Sequence, residues 1–263
     1  MRRIVAGNAG MMTGPGTNTY LLGEQQVAVL DPGPDDARHL DAILAGAGAP
    51  IRWVVCTHTH RDHSPLAAEL ARRTGATVIG LPPPADGRQD ESFAPEHRPA
   101  DGELLALGDI ELTAIHTPGH ASNCVCYFVA RERLLMTGDH VLEGVSPVIL
   151  PPDGSMGDYL KSIDKLFAYD FERIAPGHGD VMAAGKKVLE ALRAHRLARE
   201  DKVLQNLDRL GPADLDALIP AVYDDVPADR HVWARLTLHA HLIKLAQEHR
   251  VAELNGIWRI QNA

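Results

Sequence analysis

The chain has 263 residues, 45% of them apolar, with a formal net charge of -9. That length serves one large domain, or a domain with an appendage, and supplies enough apolar side chain for a packed core. The acidic balance argues against a dominant electrostatic grip on nucleic acid. An aromatic content of 5% argues against an extended base-stacking platform, and no run is long and apolar enough to span a membrane.

In chain order, Met1-Arg2-Arg3 is charged but no apolar segment follows it, so no signal peptide is expected and a cytoplasmic location is. Asn18–Gly23 and Gln26–Asp31 read as paired strands that end in the turn Pro32-Gly33-Pro34. A helix from about Asp36 to Ala45 follows, then a buried strand from Ile51 to Cys56. Ser64 reads as the N-cap of the next helix, with Pro65 at its first position, running from Leu66 to Arg73. Thr77–Gly80 reads as a short strand and Leu81–Pro99 as a proline-rich loop. Further strands are expected over Glu111–Ile115, Val125–Val129, Leu134–Met136 and Arg173–Ala175, and Gly144–Met156 as a loop near the substrate or a plain connector. Strands alternating with helices and hairpins indicate mixed α/β sheets covered by helices. Cys56 and Cys126 fall in apolar runs and read as buried reduced thiols.

From Lys186 the pattern changes. Lys186–Leu210 is a long charged helix, broken by Gly211-Pro212. Asp214–Val222 reads as a short helix and Ala228–His249 as a longer one, with Val232, Leu236, His239 and Ile243 at helical spacing. Val251–Leu254 and Ile257–Ile260, joined by Asn255-Gly256, form a hairpin with a type I′ turn. Helix, helix and two-stranded wing resemble a winged helix, which divides the chain into residues 1–185 and 186–263. In this tail Arg230, Arg235, Lys244, Arg250 and Arg259 are outnumbered by acidic residues, so a structural or lid-forming role is expected rather than DNA binding.

Chemistry concentrates in Thr57-His58-Thr59-His60-Arg61-Asp62-His63. His58 and His60 are two apart and can point the same way from an extended chain. Three more candidates each follow an apolar strand and a glycine: His120 in Thr117-Pro118-Gly119-His120, Asp139 in Thr137-Gly138-Asp139, and His178 in Pro176-Gly177-His178-Gly179. Strand ends on one edge are where α/β proteins place their sites. The set suits two Zn²⁺ ions, with iron or manganese also compatible with these nitrogen and oxygen ligands. His58, His60 and His120 fit one ion, Asp62, His63 and His178 fit the other, and Asp139 can bridge them. Two such ions with a bridging hydroxide would activate water near neutral pH and polarise a carbonyl or phosphoryl oxygen. Asp62 and Asp139 are thus the expected catalytic carboxylates, with Asp62 orienting the nucleophile. His97, His195, His241 and His249 carry no motif, and His116 and His140 read as structural or supporting neighbours of the ligands.

These four motifs, spread over about Gly14 to His178, resemble the metallo-beta-lactamase superfamily. The resemblance implies an αββα sandwich with two metals at its edge, and an Asp31 that supports a metal-binding histidine. With its tail, the chain resembles the beta-lactamase-like branch that includes a mitochondrial endoribonuclease and many bacterial hydrolases. True beta-lactamases usually carry Cys or Ser where Asp139 stands. Glyoxalase II enzymes share all seven ligands but carry a different helical C-terminal region. RNA-processing branches carry larger inserted domains than Asp139 to His178 can hold. The expected activity is therefore hydrolysis of a small-molecule ester, thioester or lactam. The alternative is an endoribonuclease acting on single-stranded RNA, which needs cations near the metals. Arg61 and the face formed by Lys186, Lys187, Arg193, Arg196 and Arg199 could supply them, or that face is simply solvated. A third reading, a binding module with a dead site, is disfavoured by the intact ligand set. No membrane and no obligate protein partner are expected.

Overall fold

Along the central strands, alternate apolar side chains go to different neighbours, and this alternation builds the layers. The computed structural model describes residues 1–261. Its first sheet holds β1 (Arg2–Val5), β2 (Asn18–Leu22), β3 (Val27–Leu30), β4 (Ile51–Val55) and β5 (Thr77–Ile79), in that spatial order. Its second holds β6 (Leu104–Leu107), β7 (Ile110–His116), β8 (Val125–Val129), β9 (Leu134–Gly138) and β10 (Arg173–Pro176), again neighbour by neighbour. In β3, Ala28 and Leu30 face the second sheet, while Val27 and Val29 pack under helices α1 (Ala37–Ala47) and α2 (Leu66–Thr74). In β8, Val125, Tyr127 and Val129 complete the core between the sheets, whereas Cys126 and Phe128 pack against α3 (Met156–Leu166) and α4 (Gly185–Leu210). Helix, sheet, sheet and helix thus stack as an αββα sandwich.

The parallel pairings β3–β4, β4–β5 and β9–β10 are crossed by α1, α2 and α3 respectively. Each crossover runs its strands in one direction and brings successive strand ends to one edge of the sandwich. Cys56, Cys124 and Cys126 are free and buried.

The C-terminal unit packs α5 (Leu215–Val222), α6 (His231–Gln247) and the hairpin β11 (Val251–Leu254) with β12 (Ile257–Ile260) around its own core. Asn255 and Gly256 both have positive φ, 52° and 81°, as a type I′ turn requires. Helix α4 serves both units. Leu189 and Leu192 belong to the core under the second sheet, and Val203 and Leu207 to the C-terminal core.

Several elements differ from the sequence reading. Ser64 does not cap α2: its hydroxyl donates to Asp90 Oδ2 at 2.7 Å, and Pro65 precedes the helix without a side-chain cap. The strands β1 and β6 are additional, and edge positions with exposed residues explain their weak patterns. Helix α3 is also additional. Its signals are a Ser155 cap and buried Met156, Tyr159, Leu160, Ile163 and Leu166 at helical spacing. In α6 the buried stripe is Ala234, Leu238, Leu242 and Leu245, while Val232 is exposed. The stripe expected through Val232, Leu236, His239 and Ile243 lies to one side of it.

Glu200 of α4 ties the C-terminal unit together. Its buried carboxylate lies 2.8 Å from Lys244 Nζ and 3.1 Å from Arg250 Nη1. Burial pushes its pKa up, but His241 and Lys244 outweigh that and hold it below the usual carboxylate range. A carboxylate depressed in the fold stabilises above its unfolded pKa of about 4.3, and that contribution is lost as pH falls through the folded value. Glu200→Gln is expected to lower the melting temperature at pH 7 and to flatten its acid dependence. Thermal melts between pH 6 and pH 3 check this. A variant with the wild-type slope over that range would contradict it.

Candidate metal centre

The loops after β4, β7, β9 and β10 converge on the edge between the two sheets. His58, His60, Asp62 and His63 follow β4, His120 follows β7, Asp139 follows β9, and His178 follows β10. All seven candidate ligands meet there in two clusters: His58, His60 and His120 in one, and Asp62, His63, Asp139 and His178 in the other. Within each cluster the ligand atoms lie within 4.8 Å of one another. Asp139 links the two, with Oδ2 standing 3.3 Å from His178 Nε2 and 3.8 Å from His120 Nε2.

Hydrogen bonds behind the rings decide which nitrogens face inward. Thr57 Oγ1 gives its proton to Asp31 Oδ2 at 2.7 Å and so accepts from His58 Nδ1 at 3.0 Å. His120 Nδ1 donates to the Val148 carbonyl at 2.8 Å. Both assignments leave Nε2 with a free lone pair, and each Nε2 stands 3.0 Å from His60 Nδ1. Three imidazoles thus aim ring nitrogens at one point. Nitrogens about 2.0 Å from one tetrahedral ion stand about 3.3 Å apart, so the spacing fits a shared cation.

In the second cluster His63 Nδ1 donates to Asp31 Oδ2 at 3.0 Å, and His178 Nδ1 to the Gly16 carbonyl at 3.2 Å. Their Nε2 atoms turn toward Asp62 Oδ2, at 3.4 and 3.2 Å. His63 Nε2 is also 3.4 Å from Asp139 Oδ1. His63 Nε2, His178 Nε2 and Asp139 Oδ1 are buried without a hydrogen-bond partner. Buried polar atoms left without a partner are costly, and a divalent cation relieves all of them together. The residues present therefore fit two metals.

Electrostatics separate the clusters. Burial, then the neighbouring rings of His63 and His60, hold the His58 ring far below its ordinary pKa. Burial, then His120, pushes His60 down to about 3. These rings are neutral, as metal ligation needs. Burial opposes charge on His63 and His178 as well, but the carboxylates outweigh it. Asp62 and Asp139 raise His63 well above the ordinary value, and Asp139 and Asp62 raise His178 to about 9. Both carboxylates are correspondingly held below their ordinary range by these histidines, against the effect of burial. The second cluster calls for positive charge, and the first for a Lewis acid.

Asp31 stands behind both. Its carboxylate is buried and accepts from Thr57 N at 2.7 Å as well as from Thr57 Oγ1 and His63 Nδ1. Asp31→Ala leaves these three donors without that acceptor and frees the His63 ring to turn. The expected result is a loss of about 3 kcal/mol in stability, read by urea denaturation, with weaker metal retention on dialysis. An unchanged midpoint and metal content would refute this role.

Gly138 has φ +48°, and a Cβ there would fall 2.3 Å from Thr57 Oγ1. Only glycine turns the chain there while lying against the His-rich loop. Gly177 lies outside the positive-φ set, and its role is clearance for Asp139 and His63.

A cleft of ≈ 160 Å³ opens onto the clusters, with His60, Asp62, His120 and Asp139 in its lining. Met12, Val148, Leu150, Trp233 and Leu236 make apolar walls, and Asp86, Arg88, Gln89 and Asp153 add polar groups. The segment 144–156 thus lies beside the cleft. Sequence reasoning missed Arg88 and Gln89 in the proline-rich loop, and Trp233 in α6. Nothing local to Trp233 signals that a winged-helix residue reaches the cleft.

The expected basic face of α4 is divided between exposed and buried cations. Arg196 and Arg199 are buried. Arg199 pairs with Asp225, Arg193 with Asp164, and Lys186 donates to the Phe167 carbonyl. Of the five, Lys187 alone is exposed, and Arg61 is exposed as well. His116 bonds the Pro99 carbonyl, and His140 is buried against Tyr159.

Residues 12–178 match the family described as "Metallo-beta-lactamase superfamily", and residues 215–258 match "Beta-lactamase associated winged helix domain". The "Beta-lactamase-like protein 2 homolog" of Drosophila melanogaster is 30% identical over 266 residues, covering 94% of this chain and 87% of the relative. An "Atrochrysone carboxyl ACP thioesterase" of Emericella nidulans is 30% identical over 207 residues, covering 76% of this chain and 64% of the relative. A crystal structure of a metallo-beta-lactamase family protein from Thermus thermophilus superposes with a TM-score of 0.76 at 26% identity, over 93% of each chain.

Proposed function

This chain belongs to the metallo-beta-lactamase superfamily, and we propose that it is a dinuclear zinc hydrolase of a small-molecule ester, thioester or lactam. The observation that carries this reading is the small, mainly apolar cleft opening on two clusters of converging ligand atoms. A small pocket of that kind, with an apolar wall facing the ligand clusters and three carboxylates outside Asp139 in its lining, suits a small acyl compound better than a polyanion. The thioesterase named among the relatives supports a thioester in particular. The burial of Arg196 and the pairing of Arg193 and Arg199 with carboxylates speak against a face that draws RNA toward the metals. Three buried free thiols fit a reducing, cytoplasmic location.

In this reading His58, His60 and His120 would hold one ion and Asp62, His63 and His178 the other, with Asp139 available to both. Bound there, divalent metals supply a water that ionises near neutral pH and a Lewis acid for the carbonyl oxygen. The chain's own groups do the rest. Asp62 lines the cleft and is held ionised, so its carboxylate can accept a hydrogen bond from attacking water and orient it. Asp31 fixes the His63 ring. Met12, Leu150, Trp233 and Leu236 hold the acyl group and exclude bulk water. Arg88 at the cleft can meet a negative group on the substrate.

The test is one panel under identical conditions: a thioester, a lactone, a chromogenic lactam and single-stranded RNA, each with and without chelator, alongside metal analysis. The expected result is two metals per chain and chelator-sensitive cleavage of a small carbonyl substrate. Cleavage of RNA alone, lost in Asp62→Ala, would reject the small-molecule reading. Absence of metal, with chelator-insensitive hydrolysis, would reject the metal centre.

A further inference from the structure

The segment 144–150 holds the carbonyl that orients His120, and its anchors lie in the C-terminal helices. Ser146 Oγ stands 3.1 Å from His195 Nδ1 of α4. The Pro147 carbonyl accepts from Arg196 Nη2, also of α4. Ile149 N donates to Thr237 Oγ1 of α6 at 3.4 Å. Ile149 is fully buried in the cluster that includes Leu192 of α4 and Ala240 of α6. Between the second and third of these anchors lies Val148, whose carbonyl accepts the His120 Nδ1 proton at 2.8 Å. The far end of the loop is tied instead to the catalytic domain, by Ser155 N to the Gly119 carbonyl at 2.8 Å.

Arg196 is an unusual residue to bury. It is 3% exposed, and no carboxylate lies within ion-pair distance of it among the described residues. Its Nε has no hydrogen-bond partner. Its contacts are the Pro147 carbonyl and the face of the Tyr159 ring, 5.1 Å from the guanidinium carbon to the ring centroid. Removing a charge from water without a counter-charge costs stability. A bond to one specific carbonyl, next in sequence to the one that holds a metal-cluster histidine, gives that cost a structural return.

We propose that the C-terminal extension is a working part of the metal centre: Arg196 and Thr237 are positioning residues that hold the Val148 carbonyl and thereby fix the ring orientation and tautomer of His120. The inference rests on the metal-centre reading above. Losing the anchors frees residues 147–149, the Nδ1 proton loses its fixed acceptor, and Nε2 no longer points with fixed geometry at the His58–His60 pair. His63 and His178 are held instead by Asp31 and the Gly16 carbonyl, which among the described residues have no bond to α4 or α6, so that cluster is left intact.

Two conservative variants test this, Arg196→Met, which keeps the bulk, and Thr237→Val, which keeps the shape. Zn²⁺ affinity is measured by competition with a chromophoric chelator, and the His120 tautomer by ¹⁵N-detected imidazole NMR on metal-free protein. The expected result is a folded protein that holds one ion as the wild type does and the other about ten- to a hundred-fold more weakly. The His120 Nδ1–H tautomer, fixed in the wild type, becomes a mixture. His120→Ala identifies which ion is affected. Wild-type affinity for both ions together with an unchanged His120 tautomer in Arg196→Met, or in Thr237→Val if only that variant folds, would overturn the proposal. A wild type that binds no metal would instead sink the metal-centre reading, and the metal-free NMR would still decide whether Arg196 and Thr237 position His120.

Discussion

Asp139→Ala is expected to reduce hydrolysis by about a thousand-fold and to lower the metal content below two per chain. The Asp139 carboxylate reaches both clusters, through contacts to His63, His178 and His120. Its carboxylate is buried and held ionised by His63 and His178. Without it, two cations would face each other across the gap with one bridging charge fewer. Lewis-acid stabilisation by a bound metal is worth several kcal/mol, and about 4 kcal/mol corresponds to the stated loss. Asp139→Asn keeps the shape and removes the charge, so it separates the two contributions. It should fold as the wild type does and still lose most of the activity. Metal analysis and steady-state rates on both variants check this. Wild-type stoichiometry and rate in Asp139→Ala would remove Asp139 from the centre.

Gly177→Ala should be nearly as damaging, although it adds only one methyl group at an ordinary backbone conformation. That methyl would fall 2.4 Å from Asp139 Oδ1, 2.8 Å from His63 Cε1 and 3.0 Å from the Gly138 carbonyl carbon. The backbone cannot retreat easily. Gly177 N donates to the Gly138 carbonyl and the Gly177 carbonyl accepts from Asn18 N, each at 2.8 Å. The side chains must therefore move, and Asp139 and His63 are the ones in the way. Overpacking of this sort costs about 1–3 kcal/mol, and a displacement of about 1 Å at a reacting centre costs about a hundred-fold in rate. The expected outcome is a lower melting temperature, reduced metal content and a rate down at least a hundred-fold. A variant with wild-type metal content and rate would show that the loop has room to yield.

Much of this centre was legible in the sequence. The strand-end histidines could be read because each follows an apolar run, and strand direction fixes where such a run delivers its last residue. The two helices and hairpin of the tail could be read from Gly211-Pro212 and Asn255-Gly256. What stayed hidden depends on contacts distant in sequence. Ser64 has the chemistry of a helix cap, yet Asp90 takes its hydroxyl. Arg193, Arg196 and Arg199 look like a solvated basic face, because nothing local shows Asp164, Pro147 and Asp225 waiting for them. Trp233 lies on a helix with its own buried stripe, and only the packing of one unit on the other turns it toward the cleft.

The order of strands within the sheets bears on how this protein comes to be active. All of the first sheet lies between Arg2 and Ile79, and all of the second between Leu104 and Pro176. Each is a run of neighbours in sequence, so each can assemble from short-range pairings as it leaves the ribosome. The ligands divide along the same line: His58, His60, Asp62 and His63 belong to the first half, and His120, Asp139 and His178 to the second. Neither half of the sandwich holds either cluster's full set of donors. Activity is consequently a property of the seam, switched on by the meeting of two separately woven pieces. A chain nicked in the loop between Gly80 and Glu103 would be silent as fragments and would regain hydrolysis only on reassociation.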